Sequence, residues 1–164
     1  MAHAFVTLDQ DAVVCEVQIA APPERVFEAL SSPEQLMGWW NGEGGPCRVK
    51  SWEMDARPDG KWRCVIADPS GRVAPRGAAG FENHGEIVEY DPPRALAYSW
   101  HAGFHAIPSH RSLVRWELIP TGTGTFVRVT HSALKTLPGG TGYVDGWPGV
   151  MTGLKKFVEQ RPAR

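Results

Sequence analysis

The C-terminal segment carries the pattern that most constrains the fold of this chain. Between Val144 and Val158, the apolar residues Trp147, Met151 and Leu154 recur at spacings of three and four, which is typical of an amphipathic helix. It is the only long helical pattern in the sequence. A lone helix needs another apolar surface to cover its stripe, so the preceding part of the chain must supply that surface.

That preceding part has the pattern of β-strands separated by turn residues. Two short helices are predicted after the first strand, one starting behind Pro22 and one capped by Ser32. Most of the other connections are short, which favours an antiparallel sheet with hairpin neighbours. Alternating or valine-rich segments predict seven strands, near residues 12–20, 47–54, 61–67, 84–90, 96–101, 112–119 and 125–131.

Length and charge exclude several classes of protein. A chain of 164 residues fits one domain. The net charge of −1 gives no basic excess for a nucleic-acid partner. We find no apolar run long enough to span a membrane and no secretory signal pattern, so we expect no membrane association and a cytoplasmic location. The three cysteines are far apart in sequence, which argues against a disulfide framework.

Seven tryptophans are many for this length, and several lie on apolar strand faces. Trp116 alternates with charged residues, and so does Trp62, while Tyr98 and Trp100 share a face with Leu96. These positions predict side chains that point inward. They line an apolar ligand cavity or pack as an ordinary core, and the pattern leaves both alternatives open.

The final helix contains two irregular positions. Pro148 has no N–H to donate, so either the helix bends near Gly146 or a new helix begins at Trp147. Gly153 removes bulk inside the helix, where glycine costs about 1 kcal/mol relative to alanine. We expect residues 146–148 to mark the mouth of a pocket and Gly153 its floor.

His131 is the best single candidate for catalysis. It shares the apolar face of the last strand with Val127 and Val129, and an inward histidine is suited to proton transfer. It is equally suited to a structural role. Tyr98 and Arg115 are weaker candidates as its helpers. We predict no cofactor and no metal site, because the other histidines lack Cys or acidic residues at matching spacing.

Six strings together resemble a known family. In this order, they are similar to the SRPBCC superfamily, also called the START-like or helix-grip fold, and more closely to the branch of homologues of the activator of the ninety-kilodalton heat-shock protein ATPase. They cover roughly residues 13–160: APPERVFEAL, SSPEQLMGWW, RPDGKWR, GEIVEYDPPRALAYSW, WELIPTGTGTFVRVTHSAL and GWPGVMTGLKKFVE.

The resemblance implies an α+β fold in which a curved, seven-stranded antiparallel sheet wraps around the long C-terminal helix. The domain would span residues 1–164, with a core at about 12–160. The resemblance also implies a cavity between sheet and helix. We therefore expect a non-enzymatic protein that binds a small apolar, aromatic or lipid-like molecule. The predicted ligand-binding residues are Trp62, Tyr98, Trp100, Trp116, His131 and Gly153.

Two alternatives use the same fold differently. The first is a cyclase, dehydratase or hydrolase that works in the same cavity, with His131 moving the proton. The second is a protein-interaction domain that binds a chaperone, as the name of the branch implies. A homodimer formed through exposed apolar surface is a further expectation about partners.

Overall fold

The computed structural model describes residues 2–41 and 45–160, which form eight strands, three α-helices and one 3-10 helix. The helices are α1 (Pro23–Ser31), α2 (Pro33–Trp39) and α3 (Trp147–Gln160), with the 3-10 helix (Gly140–Asp145) directly before α3. The strands are β1 (His3–Val6), β2 (Val13–Ile19), β3 (Arg48–Met54), β4 (Lys61–Ala67), β5 (Gly80–Asp91), β6 (Ala95–Ala102), β7 (Ser112–Thr121) and β8 (Gly124–Ser132).

All eight strands belong to one antiparallel sheet, in the order β1-β2-β8-β7-β6-β5-β4-β3. From β3 to β8 each strand lies beside its neighbour in the chain, as the short connections predict. The pairing of β2 with β8 is the long-range one, and it runs from Val13 opposite His131 to Ile19 opposite Thr125. This pairing places β2, near the start of the chain, beside β8, the last strand.

The prediction of seven strands is wrong by one. The additional strand, β1, pairs with β2 at the edge of the sheet, from His3 opposite Glu16 to Val6 opposite Val13. Its residues are only half-buried or exposed. A four-residue edge strand has little apolar periodicity, so its pairing depends on the partner strand and not on a pattern of its own. The glycines at positions 42, 44 and 45 and Pro46 predict a loop after α2, and its residues 42–44 lie outside the described residues.

The α3 helix buries the predicted stripe, including Trp147, Met151, Leu154 and Val158. Of the two alternatives at Pro148, the second is correct: α3 begins at Trp147, and the turn before it is a separate 3-10 helix. Proline is tolerated there because the first turn of a helix has no intrahelical acceptor for that N–H. The helix therefore starts with its first tryptophan already in the core.

Successive residues along the strands point alternately to the inner and the outer face of the sheet, as predicted. Trp116 lies opposite Val129, and both are fully buried. Outward-facing Arg115 instead pairs with Glu89 and Glu117 at 2.8 and 2.9 Å. The two short helices follow their signals too, since the Ser32 hydroxyl accepts the backbone N–H of Gln35 at 3.4 Å.

Candidate functional site

A network of tryptophans fills the deeper part of the space between the sheet and α3. All seven tryptophans are buried, and ring contacts join them into one group. Trp40 occupies its centre. Its ring centroid lies 5.0 Å from that of Trp52, 5.9 Å from that of Trp100 and 6.0 Å from that of Trp147. Most of this network packs as an ordinary core, while three of its members, Trp40, Trp100 and Trp147, also border the pocket described below.

His131 is fully buried, and both of its ring nitrogens have partners. The indole N–H of Trp147 donates to Nδ1 at 3.2 Å. Because an indole N–H only donates, the ring proton is assigned to Nε2, which lies 2.7 Å from the Ser112 hydroxyl. That hydroxyl donates in turn to the carbonyl of Trp100 at 3.1 Å. Burial lowers the pKa of His131 to about 3, so the ring is neutral at neutral pH.

This placement does not support the interpretation of His131 as a catalytic base. Its Nδ1 lone pair is occupied, and it lies outside the walls of the pocket described below. The two predicted helpers, Tyr98 and Arg115, are also engaged with other partners. The hydroxyl of Tyr98 accepts the indole N–H of Trp116 at 2.9 Å, and Arg115 lies on the outer face, paired with Glu89. The structure favours the structural role for His131.

An open pocket of about 460 Å³ lies where α3 begins, between that helix and the inner face of β5 and β6. Val150 of α3 and Gly142 of the 3-10 helix form one side, and Pro46 and Val73 contribute from two loops. The aromatic residues that line it are Trp40, Phe81, Trp100, Phe104, Tyr143 and Trp147. A largely apolar pocket of this size with a few polar groups is typical of small-molecule sites.

The structure brings only part of the predicted site to this pocket. Trp100 lines it, and so do Gly146 and Trp147 of the predicted mouth. The other predicted ligand-binding residues are buried and do not line this pocket: Trp62, which borders the groove on the opposite face of the sheet, Tyr98, Trp116, His131 and Gly153. Their assignment to the cavity wall needs correction, and the pocket lies nearer the surface than expected.

Asn83 is an inward-facing polar residue on the wall of the pocket. It is only 4% exposed, and its Oδ1 has no hydrogen-bond partner among the described residues. It lies opposite Cys64 of β4. Burial raises the pKa of the Cys64 thiol to about 12, and a hydrogen bond from the Asn83 side chain acts in the opposite direction. The Oδ1 atom itself has essentially no accessible surface, so it is enclosed by protein and does not face the open space of the pocket.

Tyr143 also lines the pocket. Its oxygen accepts the indole N–H of Trp100 at 3.2 Å and lies 2.6 Å from Nε2 of His105. The backbone N–H of Ala102 reaches Nδ1 of His105 at 3.4 Å, which assigns the imidazole proton to Nε2. Both lone pairs of the tyrosine oxygen are then in use, and its own proton is left to donate. Burial lowers the pKa of His105 to about 4 and raises that of Tyr143.

Four histidines lie together beside this tyrosine without forming a metal site. The ring of His101 lies 5.3 Å from those of His84 and His105, and His105 lies 6.2 Å from His110. Nδ1 of His101 donates to the carbonyl of His110 at 3.0 Å. Within residues 2–41 and 45–160, no group of three or more His, Cys, Asp or Glu residues has the geometry to hold a metal ion.

The opposite face of the sheet carries a second, polar groove of about 730 Å³ over β4, β5 and β6. Arg63 crosses it and pairs with Glu82 at 2.8 Å and with Glu53 at 3.3 Å. The charged residues that line this groove are of both signs and are partly paired with one another. The inner pocket is therefore the better candidate for a ligand site.

The fold is the helix-grip type, a curved antiparallel sheet packed around a C-terminal helix. A family model described as "Activator of Hsp90 ATPase homolog 1-like protein" matches residues 20–159. The chain belongs to this family, a branch of the SRPBCC or START-like superfamily. No curated protein matches the chain. In the part of the chain that the structure describes, no helix is long and apolar enough to cross a membrane.

Solved structures with this fold come from several bacteria. A crystal structure of a protein from Rhodobacter sphaeroides has a TM-score of 0.76 at 18% identity, covering 98% of this chain and 100% of that one. One from Mycobacterium smegmatis has a TM-score of 0.74 at 16% identity, with 99% and 97% covered. An NMR structure of an AHSA1-like protein from Aeromonas hydrophila has a TM-score of 0.70 at 20% identity, with 91% and 92% covered. These likenesses show the fold alone.

The polar residues Asn83 and Tyr143 are not among the predicted ligand-binding residues, although both line the pocket. Asn83 lies just before the predicted strand, which starts near residue 84, whereas β5 begins at Gly80. One signal could have found it: Phe81 and Asn83 alternate with Glu82 and His84, which places an asparagine on the inward face of a strand. Tyr143 gave no comparable signal, because its position depends on where the 3-10 helix docks.

Proposed function

We propose that this protein binds a small, mostly apolar molecule in the pocket at the start of α3. The single observation that supports this most strongly is the pocket itself, about 460 Å³ of open space with aromatic rings on several sides. Monomeric domains usually pack such surfaces closely, and open aromatic pockets of this size are the usual form of small-molecule sites.

Two further features support binding without turnover. The polar residues that line the pocket are Asn41, Cys47, Asn83, Tyr143 and Asp145, and no hydrogen bond or ion pair among these described residues forms an acid–base pair. His105, whose imidazole contacts the Tyr143 hydroxyl, holds its proton on Nε2 toward the tyrosine oxygen. A catalytic assignment would need a nucleophile or base with a second group to orient it. The enzymatic alternative, the chaperone partner and the homodimer remain predictions.

A fluorescent-dye experiment tests the proposal. Nile red, an uncharged apolar dye, is titrated into the wild-type protein and into Val150→Phe, which places a larger side chain on the pocket wall. We expect saturable fluorescence enhancement with the wild type and at least a tenfold weaker response with the variant, since the ring occupies the dye's volume.

The matched control is Val88→Phe on β5. Val88 is 59% exposed and does not line the pocket, so this variant should bind the dye as the wild type does. Equal binding by both variants, or no saturable binding by the wild type, contradicts the proposal. Thermal unfolding of each variant shows whether the fold is intact.

A further inference from the structure

The loop between β6 and β7, residues 103–111, supplies part of the pocket wall. Phe104 of this loop lines the pocket and packs edge-on against Phe81 of β5, with the ring centroids 4.9 Å apart. The next residue, His105, places Nε2 2.6 Å from the hydroxyl oxygen of Tyr143 on the 3-10 helix. A side-chain hydrogen bond therefore joins two segments that both border the pocket.

This hydrogen bond fits the neutral form of His105. The backbone N–H of Ala102 points at Nδ1 at 3.4 Å, so Nδ1 is the acceptor and Nε2 carries the proton toward the tyrosine oxygen. A second proton would have to go onto Nδ1. It would place one N–H against another, and the Ala102 amide would lose its acceptor.

The charges around His105 also oppose its protonation. The ring of His101 on β6 lies 5.3 Å away and that of His110, in the loop itself, lies 6.2 Å away. Both add positive charge when they are protonated, and Arg111 is positive throughout. His84 of β5 lies behind His101, with the ring centroids 5.3 Å apart, so the group extends over two strands and the loop.

The 3-10 helix and β8 offer no counter-charge. Tyr143 stays neutral because burial raises its pKa, and His131, whose ring lies 4.3 Å from that of Tyr143, is neutral as well. Asp145 is not among the described groups whose charge acts on His105. Burial, followed by the charges of the two histidines and the arginine of the preceding paragraph, lowers the pKa of His105 to about 4.

We propose that residues 103–111 form a pH-sensitive flap on the pocket, which neutral His105 holds against Tyr143 and which protonation of this imidazole releases. Release carries Phe104 away from Phe81, so the pocket loses one of its aromatic walls. The flap is a property of the protein without ligand, whereas its effect on binding rests on the proposed function. Acidification then weakens the hold of the pocket on an apolar molecule.

Hydrogen exchange of the Ala102 amide measures the opening, because this N–H loses its acceptor when His105 leaves. The imidazole ionises at about 4 in the closed flap and at an ordinary 6.5 once it is exposed to water. The ratio of open to closed protein therefore rises about tenfold between pH 7.5 and pH 5.5. We expect the protection factor of the Ala102 amide to fall by the same factor.

His105→Gln is the matched variant. Glutamine has no charge to gain, and its amide offers an oxygen to the Ala102 N–H and an N–H to the Tyr143 oxygen. We expect its protection factor to stay constant over this pH range, while His3→Gln, at an exposed position on β1, behaves as the wild type does. An unchanged protection factor in the wild type, or an equal fall in His105→Gln, overturns the inference.

A second measurement on the wild type keeps the test decisive if the variant does not fold. The imidazole of His105 and the backbone amide of Phe104 are followed together by ¹⁵N NMR as the pH is lowered. A Phe104 signal that moves with the titration of His105 supports the flap. A Phe104 signal that stays fixed while His105 titrates overturns it.

Nile red separates the flap from the proposed function, since the dye itself is uncharged. We expect the wild type to bind it more weakly at pH 5.5 than at pH 7.5, and His105→Gln to show no such loss. An equal loss in both proteins overturns the link between flap and pocket. If the dye binds at neither pH while the Ala102 amide behaves as expected, the proposed function is contradicted and the flap stands.

Discussion

The indole N–H of Trp147 donates to Nδ1 of His131 at 3.2 Å, joining the first residue of α3 to the inner face of β8. Through Nε2 of His131 and the Ser112 hydroxyl, the same line of hydrogen bonds continues to the carbonyl of Trp100. It thus connects the start of α3 with three strands of the sheet, β8, β7 and β6. A buried chain of this kind fixes the position of α3, and the pocket wall that α3 supplies depends on that position.

The Trp147 contact predicts a large effect of a small substitution. Trp147→Phe keeps an aromatic ring in the core but leaves Nδ1 of His131 without a donor, which costs about 1–3 kcal/mol beyond the lost ring area. Trp52→Phe is the matched control, because Trp52 is equally buried and its N–H has no partner among the described residues. Urea unfolding of both variants measures the difference. Equal losses in the two variants would mean that the hydrogen bond contributes nothing.

The neutral state of His131 predicts a pH dependence of stability. Its pKa is about 3 in the folded protein against an ordinary 6.5, so below pH 6.5 the unfolded chain takes up a proton that the folded protein does not. Stability therefore falls as the pH is lowered from 6.5 toward 3, by up to about 1.4 kcal/mol per pH unit from this group.

Urea unfolding between pH 7.5 and pH 5 measures this slope in the wild type and in His131→Gln. We expect the variant to be less stable at pH 7.5 and to have a flatter slope, by close to one proton. His3→Gln, at an exposed position on β1, should keep the wild-type slope. If the pH dependence of the unfolding free energy is unchanged in His131→Gln, the assignment of a neutral, buried imidazole is wrong.

The close packing around Gly85 on β5 predicts that a single added methyl group strongly destabilises the fold. A Cβ at this position would lie 1.8 Å from the carbonyl oxygen of Ser99 and 2.7 Å from Nε1 of Trp62, two atoms that are hydrogen-bonded to each other at 3.0 Å. We expect Gly85→Ala to cost about 3 kcal/mol or more, because backbone and a buried indole must both move. Gly122→Ala has nothing within 4 Å and should change the melting temperature little. Similar melting temperatures for the two variants would contradict this close approach.

Asp68 organises the loop that carries Val73 to the pocket. Its carboxylate accepts the Ser70 hydroxyl at 2.5 Å and the backbone N–H groups of Val73 and Ala74 at 2.8 and 2.9 Å. The Ser70 hydroxyl, followed by these amides, lowers the pKa of Asp68 to about 2 from an ordinary 3.8. The stabilisation is therefore present above about pH 4 and is lost as the pH falls toward 2.

We expect Asp68→Ala to remove the hydrogen-exchange protection of the Val73 and Ala74 amides and to weaken Nile red binding. Asp55→Ala is the control, since Asp55 forms an exposed ion pair with Arg57 in a different turn. Retained protection of both amides in Asp68→Ala would show that the loop is held by other contacts.

Much of the fold could be predicted because its signals are local. The stripe on α3, the hydroxyl cap at Ser32 and the alternation around Trp116 each depend on residues close together in the chain. The strand β1 lacked such a signal, because four edge residues gain their order from pairing with β2. The start of β5 was misplaced for the same reason, since Asn83 is held in the sheet by its partners on β4 and β6.

The sequence by itself determined that tryptophans and His131 face inward, since strand parity follows from neighbouring charges. Only the tertiary structure decided which of these side chains fill the core and which border open space. That distinction depends on how seven large rings pack against one another and where α3 docks, and packing is a property of the whole set. For the same reason Asn83 and Tyr143, some sixty positions apart in the chain, line one pocket only once the sheet has closed around the helix.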